Sequence, residues 1–309
     1  MRRREFITLL GSAAAWPLAA RAQLPAKRAL IAMLVSGSSD GYSANVQAFR
    51  RGLHELHYTE GRDLEIAYRY ADGDPARMPA LATELVKLKP DVIVTTSTSA
   101  AQAAKQATTT VPIVSSILTD PLGNGLAASE ARPGGNVTGI QFTLSGLTGK
   151  QLELAREVMP QTSTVGLLVY MKSASNPPQR RDAETDQLGT AFQVYARQGV
   201  DWVIVLGDAL FNSERDRIAS LAISLRIPTI FSNRANVEAG GLISYGVDLA
   251  ANHHRAAYYV DKILKGAKAG NLPIEFPTKL ELAINLNTAK TLGLKIPPRL
   301  VAGADEVIE

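Results

Sequence analysis

From residue 29 onward, apolar and polar positions fall into two alternating rhythms. Residues 29–35 form an unbroken apolar run that stops at Ser36, Gly37, Ser38 and Ser39. That is the pattern of a strand buried on both faces. Residues 42–57 then set Val46, Phe49, Leu53 and Leu56 at helical spacing, with Gly61 as a stop. Residues 64–70 alternate as a half-exposed or edge strand does. Asp74 and Pro75 open a helix with Met78, Leu81, Leu85 and Leu88 on one face. A strand at 91–96, a helix at 100–108, a strand at 111–116 and an extended stretch at 136–142 continue the alternation.

The rhythm then starts again. A helix at 147–158 precedes a strand at 164–170, and a helix at 184–198 precedes a strand at 201–206. A helix at 214–225 leads to a strand at 227–231, with a short strand at 240–246. Strands separated by helical patterns of this length predict parallel, doubly wound sheets. The fold class is therefore α/β, with two doubly wound parallel-sheet lobes. The tail adds a helix at 250–264, an alternating strand at 279–286 and a short helix at 288–292. A helix and a strand left over after the second run imply that the chain crosses back between lobes. Several crossings make a multi-strand hinge beside a closing cleft. The expected lobes are 23–142 with about 248–272, and 143–247 with about 273–309.

The first 22 residues follow another logic. Arg2, Arg3 and Arg4 precede Glu5, Phe6 and Ile7, an uncharged stretch runs over 8–20, and Ala20-Arg21-Ala22 closes it with small residues. This is the order of a secretory signal peptide, and the Arg3-Arg4-Glu5-Phe6-Ile7 segment resembles the twin-arginine form. Thirteen residues are too few to span a hydrocarbon core that needs about 20. An exported chain cleaved near Ala22 is expected, with the periplasm as its destination. Cleavage leaves 287 of the 309 residues, enough for two separate cores.

Charge changes little once the leader is set aside. The net +4 includes Arg2, Arg3, Arg4, Arg21 and Glu5, so the remainder carries about +1. No argument for nucleic acid or an anionic membrane surface survives that subtraction. There is no cysteine, which removes disulfides, thiolate catalysis and cysteine-held metals. No metal and no cofactor is expected.

Candidate chemistry gathers in the loops that follow strands, where open parallel sheets bind ligands. Those loops carry small hydroxyls and two acids: Ser36, Ser38 and Ser39; Ser97, Thr98 and Ser99; Asp120; Asn176; and Asp208. Free N–H groups at helix N-termini, joined by short hydroxyls, suit a carboxylate or another small anion. Asp120 and Asp208 suit an ammonium group. Each residue taken singly is also an ordinary helix cap. Tyr42, Tyr170, Phe211 and Tyr245 fall near strand ends, where aromatic rings serve a ligand clasp or the core equally well. His54 and His57 lack the acid a metal-binding helix motif requires, so exposed helical positions are expected for the histidines. No nucleophile elbow, phosphate-binding loop or dinucleotide fingerprint follows any strand, and an exported enzyme is the least favoured class.

The leader, the Arg132–Gly139 phrase Arg-Pro-Gly-Gly-Asn-Val-Thr-Gly, Phe211-Asn212-Ser213, Ser244-Tyr245-Gly246, Ile284-Asn285-Leu286 and the ending Ala304–Glu309 together resemble the ABC transporter substrate-binding family. The resembling branch includes tryptophan- and tyrosine-binding periplasmic proteins. The resemblance implies a type I periplasmic-binding fold, a cleft that closes on a small organic ligand, and delivery to an inner-membrane ABC permease. An amino acid or related carboxylate is the ligand to expect, and a monomer the expected state. A binding protein serving a membrane sensor and a degenerate, non-binding member are the alternatives. One departure stands out. Between the strand at 164–170 and the helix at 184–198 the chain lacks about 25 residues, one α/β unit, that the family carries. The missing strand would be an edge, so the second lobe should survive it in reduced form.

Overall fold

The computed structural model describes residues 28–142, 146–169, 180–277 and 279–309. The expected leader and its cleavage site lie outside the described residues.

The first run of elements closes one sheet. Strands β1 (Ala29–Val35) and β2 (Leu64–Tyr70) flank helix α1 (Ser43–Glu55) in sequence. Asp74 caps a short 3-10 turn by accepting from Ala76 N at 2.9 Å, and α2 (Met78–Lys87) follows. Then come β3 (Val92–Thr95), α3 (Thr98–Ala107), β4 (Ile113–Leu118) and β5 (Val137–Gln141). The five strands are parallel in the order β2-β1-β3-β4-β5. Because both faces are covered, the central strands read as solid apolar runs in the sequence.

The second run builds α4 (Leu147–Val158), β6 (Val165–Leu168), α5 (Arg180–Gln198), β7 (Trp202–Val205), α6 (Ala209–Ser213), α7 (Arg215–Ser224), β8 (Thr229–Phe231), α8 (Arg234–Glu238) and β9 (Ile243–Val247). The chain then returns to the first lobe as α9 (Leu249–Leu264), which packs with α1 over β1, β3 and β4. Gly52 makes that close packing possible, since a Cβ there would lie 2.6 Å from the carbonyl oxygen of His254. Finally β10 (Leu280–Asn285), α10 (Leu286–Leu292), α11 (Pro298–Gly303) and β11 (Glu306–Ile308) complete the second lobe. Its sheet runs β11-β10-β9-β8-β7-β6, with β10 antiparallel to β9. The very short α6, α8, α11 and β11 are additions to what the periodicity predicts.

The chain crosses between lobes three times, after β5, at Asp248 and after Glu275. The crossings are laced together: Gln141 N donates to Glu275 O (2.7 Å) and Glu275 N to Gly139 O (3.0 Å). Lys279 Nζ reaches Asp248 Oδ2 at 2.9 Å. Each lobe has one glycine where its last parallel strand presses on the neighbouring strand's backbone. A Cβ on Gly139 (φ 151°) would fall 2.0 Å from Ser115 O, and one on Gly246 would fall 2.1 Å from Ser232 O.

Two findings concern the expectations directly. β6 is an edge strand, joined to α5 by residues 169–179, and among the described residues no strand flanks its outer side. In the first sheet β2 fills that place. His253 is not an exposed helical residue: it is fully buried between α9 and the sheet. Its Nδ1 faces Leu249 O at 2.7 Å and its Nε2 faces Ser116 Oγ at 3.1 Å. A carbonyl only accepts, so the proton sits on Nδ1 in the neutral ring. Burial holds its pKa down to about 4. His57 lies past the end of α1 with φ 70°.

Candidate functional site

A cavity of about 330 Å³ lies between the lobes at the carboxyl ends of the strands. That is the lower end of the range for small-molecule sites. The first lobe supplies Tyr42, the run Thr96 to Ser99, Gln102, Ile117, Thr119 and Asn124. Phe142 and Leu249 come from the crossings, and Gly207, Asp208 and Asn233 from the second lobe.

The floor is rigid. Ser36 is fully buried behind Tyr42: its amide donates to Thr96 Oγ1 (2.9 Å), and its hydroxyl meets Thr96 Oγ1 and the Tyr42 hydroxyl, each at 3.1 Å. Ser36 therefore holds the ring in place from one layer below the cavity. Gly37 gives the ring its room, because a Cβ there would lie 2.4 Å from Tyr42 Cε2. Burial chiefly raises the Tyr42 pKa, and the Asp208 charge adds to it, so the phenol stays protonated.

The strand-to-helix loop after β3 opens into the cavity. Ser97 caps α3 by accepting from Ala100 N at 3.1 Å, and its hydroxyl lies 3.2 Å from that of Ser99. Thr98 Oγ1 accepts from Thr119 N at 2.8 Å, which leaves its own proton to donate. The helix N-terminus, with its positive partial charge, and three hydroxyls thus line one wall. Opposite stands Asp208, which caps α6 by accepting from Leu210 N at 2.8 Å. Asn233 caps α8 in the same manner, accepting from Ala235 N at 3.0 Å. Asp208 is the one acid lining this cavity, one fewer than the loops suggest.

Asp120 does not line the cavity. It sits at φ 43° in a tight turn, with Oδ1 accepting from Gly123 N at 2.9 Å. Ser38 and Ser39 do not line the cavity either: the first accepts from Gly41 N (3.2 Å) and the second donates to Asp40 Oδ1 (3.2 Å). Tyr245 packs into the second lobe's core beside α4 and offers only its carbonyl, to Gln151 Nε2 at 2.9 Å. Phe211 is likewise a core ring. Tyr170 and Asn176 lie outside the described residues. Of the candidate set, the structure brings together Ser97, Thr98, Ser99 and Asp208, with Tyr42 from the aromatic group. Gln102, Asn124, Phe142, Asn233 and Leu249 are lining residues that no local motif marks. Among the described residues no group of three or more metal-binding side chains occurs.

A family model for the ABC transporter substrate binding protein matches residues 30–182 and 183–308. The chain belongs to that family. A tyrosine-binding protein of Clostridioides difficile (strain R20291) is 27% identical over 265 residues, covering 81% of this chain and 76% of its own. An ABC domain from Streptococcus pneumoniae, solved in complex with L-Trp, superposes with a TM-score of 0.80 at 26% identity, over 91% of this chain and all of its own. A conserved domain protein from Vibrio cholerae O1 biovar El Tor also superposes at 0.80, with 28% identity and the same coverage. Family and neighbours are solute-binding proteins, not enzymes, and the two-lobed architecture is that of type I periplasmic-binding proteins. Among the described residues no helix is long and apolar enough to cross a membrane.

Proposed function

We propose that this substrate-binding protein is the exported receptor of an ABC importer, and that its cleft closes on an aromatic amino acid or a close relative. The carrying observation is the opposition of charge preferences across one cavity. The hydroxyl-rich N-terminus of α3 at Ser97, Thr98 and Ser99 suits a carboxylate, and Asp208 on the other lobe suits an ammonium. Between them Tyr42, Phe142, Ile117 and Leu249 offer an apolar slot. The tyrosine-binding relative and the L-Trp-bound structure support the same ligand class. Export with cleavage near Ala22, a periplasmic location and an inner-membrane permease partner belong to this proposal. Arg3→Lys with Arg4→Lys should leave the protein in the cytoplasm on fractionation; unchanged export would remove the twin-arginine route.

A receptor that must release its cargo needs micromolar affinity, about −8 kcal/mol. Titration calorimetry of residues 23–309 with L-tryptophan and L-tyrosine tests the reading. Asp208→Asn keeps the helix cap, since Asn caps as well as Asp. It should weaken binding about 10- to 100-fold, the worth of one charge-assisted hydrogen bond. Equal affinity in the variant would exclude Asp208 as the ammonium partner. No heat with any aromatic amino acid would favour a degenerate, non-binding member.

A further inference from the structure

We infer that Gln102 acts as a specificity-determining acceptor, reading a hydrogen-bond donor at the far end of the ligand. The cleft would then prefer an aromatic amino acid carrying a phenol O–H or an indole N–H over phenylalanine. This rests on the proposed aromatic amino-acid site.

The argument is one of forced amide orientations. Asn124 places one terminal side-chain atom 3.0 Å from Thr119 O and 2.9 Å from Asp120 O. Both are carbonyls, which only accept, so that atom must be Nδ2. Asn124 Oδ1 is therefore on the other side, 3.0 Å from the amide of Gln102. Only a donor can sit there, so Gln102 presents Nε2 to Asn124. Its Oε1 is left as an acceptor on the cavity wall, with no protein partner among the described residues. Neither amide can flip without setting two acceptors against each other, a cost of one or more hydrogen bonds.

Position makes the acceptor useful. Gln102 lies three residues beyond Ser99 on α3, so the two share a helix face one turn apart. With the carboxylate held at the start of α3 and the ammonium at Asp208, Gln102 faces the remaining end of the ligand. It is a neutral acceptor there, suited to a phenol or an indole and indifferent to charge. Ser97, Thr98 and Ser99 can donate, whereas Asp208 is the acceptor for the ammonium.

The test is calorimetry of residues 23–309 with L-tyrosine and L-phenylalanine, which differ by one hydroxyl. The wild type should bind tyrosine about tenfold more tightly, the worth of one net hydrogen bond. Gln102→Met keeps the length of the side chain and removes both polar atoms. It should bring the ratio close to one by weakening tyrosine more than phenylalanine. Asn124→Ala releases the amide of Gln102 to turn, and should lower the ratio by a smaller factor. A wild type that binds both ligands equally, or a ratio unchanged in Gln102→Met, overturns the inference and leaves the aromatic amino-acid site standing. A wild type that binds neither of these ligands nor L-tryptophan overturns both.

Discussion

The two lobes use the same plan with unequal completeness, and the inequality is sharpest at the first strand of each. In the first lobe Met33 of β1 pairs with Val94 of β3; in the second, Leu167 of β6 pairs with Ile204 of β7. Met33 is fully buried under α1 and α9. Leu167 is 47% exposed and Val169, just beyond it, 44%. The first lobe has α1 and β2 between β1 and α2, whereas only residues 169–179 separate β6 from α5. With no strand on its outer side among the described residues, β6 is bared at the sheet edge while the inner strands stay buried. The first lobe also contributes most of the cavity wall. It supplies the larger half-site, and the second lobe a smaller facing wall.

The feature the lobes share most closely should carry the largest effect. Gly139 and Gly246 both admit a neighbouring strand's backbone, but only Gly139 has a positive φ. Gly139→Ala should cost on the order of 4 kcal/mol, combining overpacking against Ser115 with strained backbone. Gly246→Ala should cost roughly half as much, since only the overpacking against Ser232 applies. Urea unfolding of the two variants measures both. Equal costs would show that backbone strain plays no part.

Cavity-making substitutions probe the asymmetry itself. Met33→Ala should destabilise by about 3 kcal/mol, as large-to-small changes in packed cores do. Leu167→Ala should change stability by less than about 0.5 kcal/mol, as at an exposed surface. A loss above about 2 kcal/mol at Leu167 would mean that something covers it, and the comparison would break.

Acid should also act on one lobe. Three of the four histidines, His54, His253 and His254, lie on α1 and α9, and His253 is buried and neutral. Its folded pKa is held near 4 against 6.5 unfolded, so the unfolded chain binds the proton first as pH falls. Stability from this residue is fully present above about pH 6.5 and is lost between there and pH 4, by about 3 kcal/mol. Glu275 and Asp248, whose pKa values are lowered by Arg255 and by the α9 amide with Lys279, shed their contributions only below the ordinary carboxylate range. His253→Gln should flatten the decline between pH 6.5 and 4. An unchanged slope would assign that loss to other groups.

Much of this was legible in the chain because burial on both faces leaves solid apolar runs. The strand at residues 29–35 is found at those same residues, and the helix at 147–158 likewise. Helices α6 and α8, five residues each, are too short to show one apolar period. Ser97, Thr98, Ser99 and Asp208 were visible because a cap after a strand is a local pattern. Asp120 looked identical in sequence, but a left-handed turn carries its carboxylate onto Gly123 N. Gln102, Asn233 and Leu249 meet only once two lobes and three crossings are in place, which no local spacing records. His253 misled because its burial depends on α9 returning to the first lobe.

The smallest expected effect lies where the lobes touch. Phe142, at the end of β5, rests its ring on Gly207, at the end of β7: a Cβ on Gly207 would lie 2.8 Å from the ring's Cε1 and Cζ. Both residues line the cavity. A ring is less easily displaced than a long flexible side chain, so Gly207→Ala must turn it into a space of about 330 Å³ or hold the lobes slightly apart. Either response acts on the closed state and not on the core of either lobe. Melting temperature without ligand should stay within about 2 °C, the shift expected of a change under 0.5 kcal/mol. Affinity should fall about five- to tenfold, because ligand contacts made only on closure are what select the closed form. A matching loss of unliganded stability would show instead that Gly207 is part of the second lobe's core. In that case the contrast between the larger half-site and its facing wall would have to be drawn elsewhere than at the Phe142–Gly207 contact.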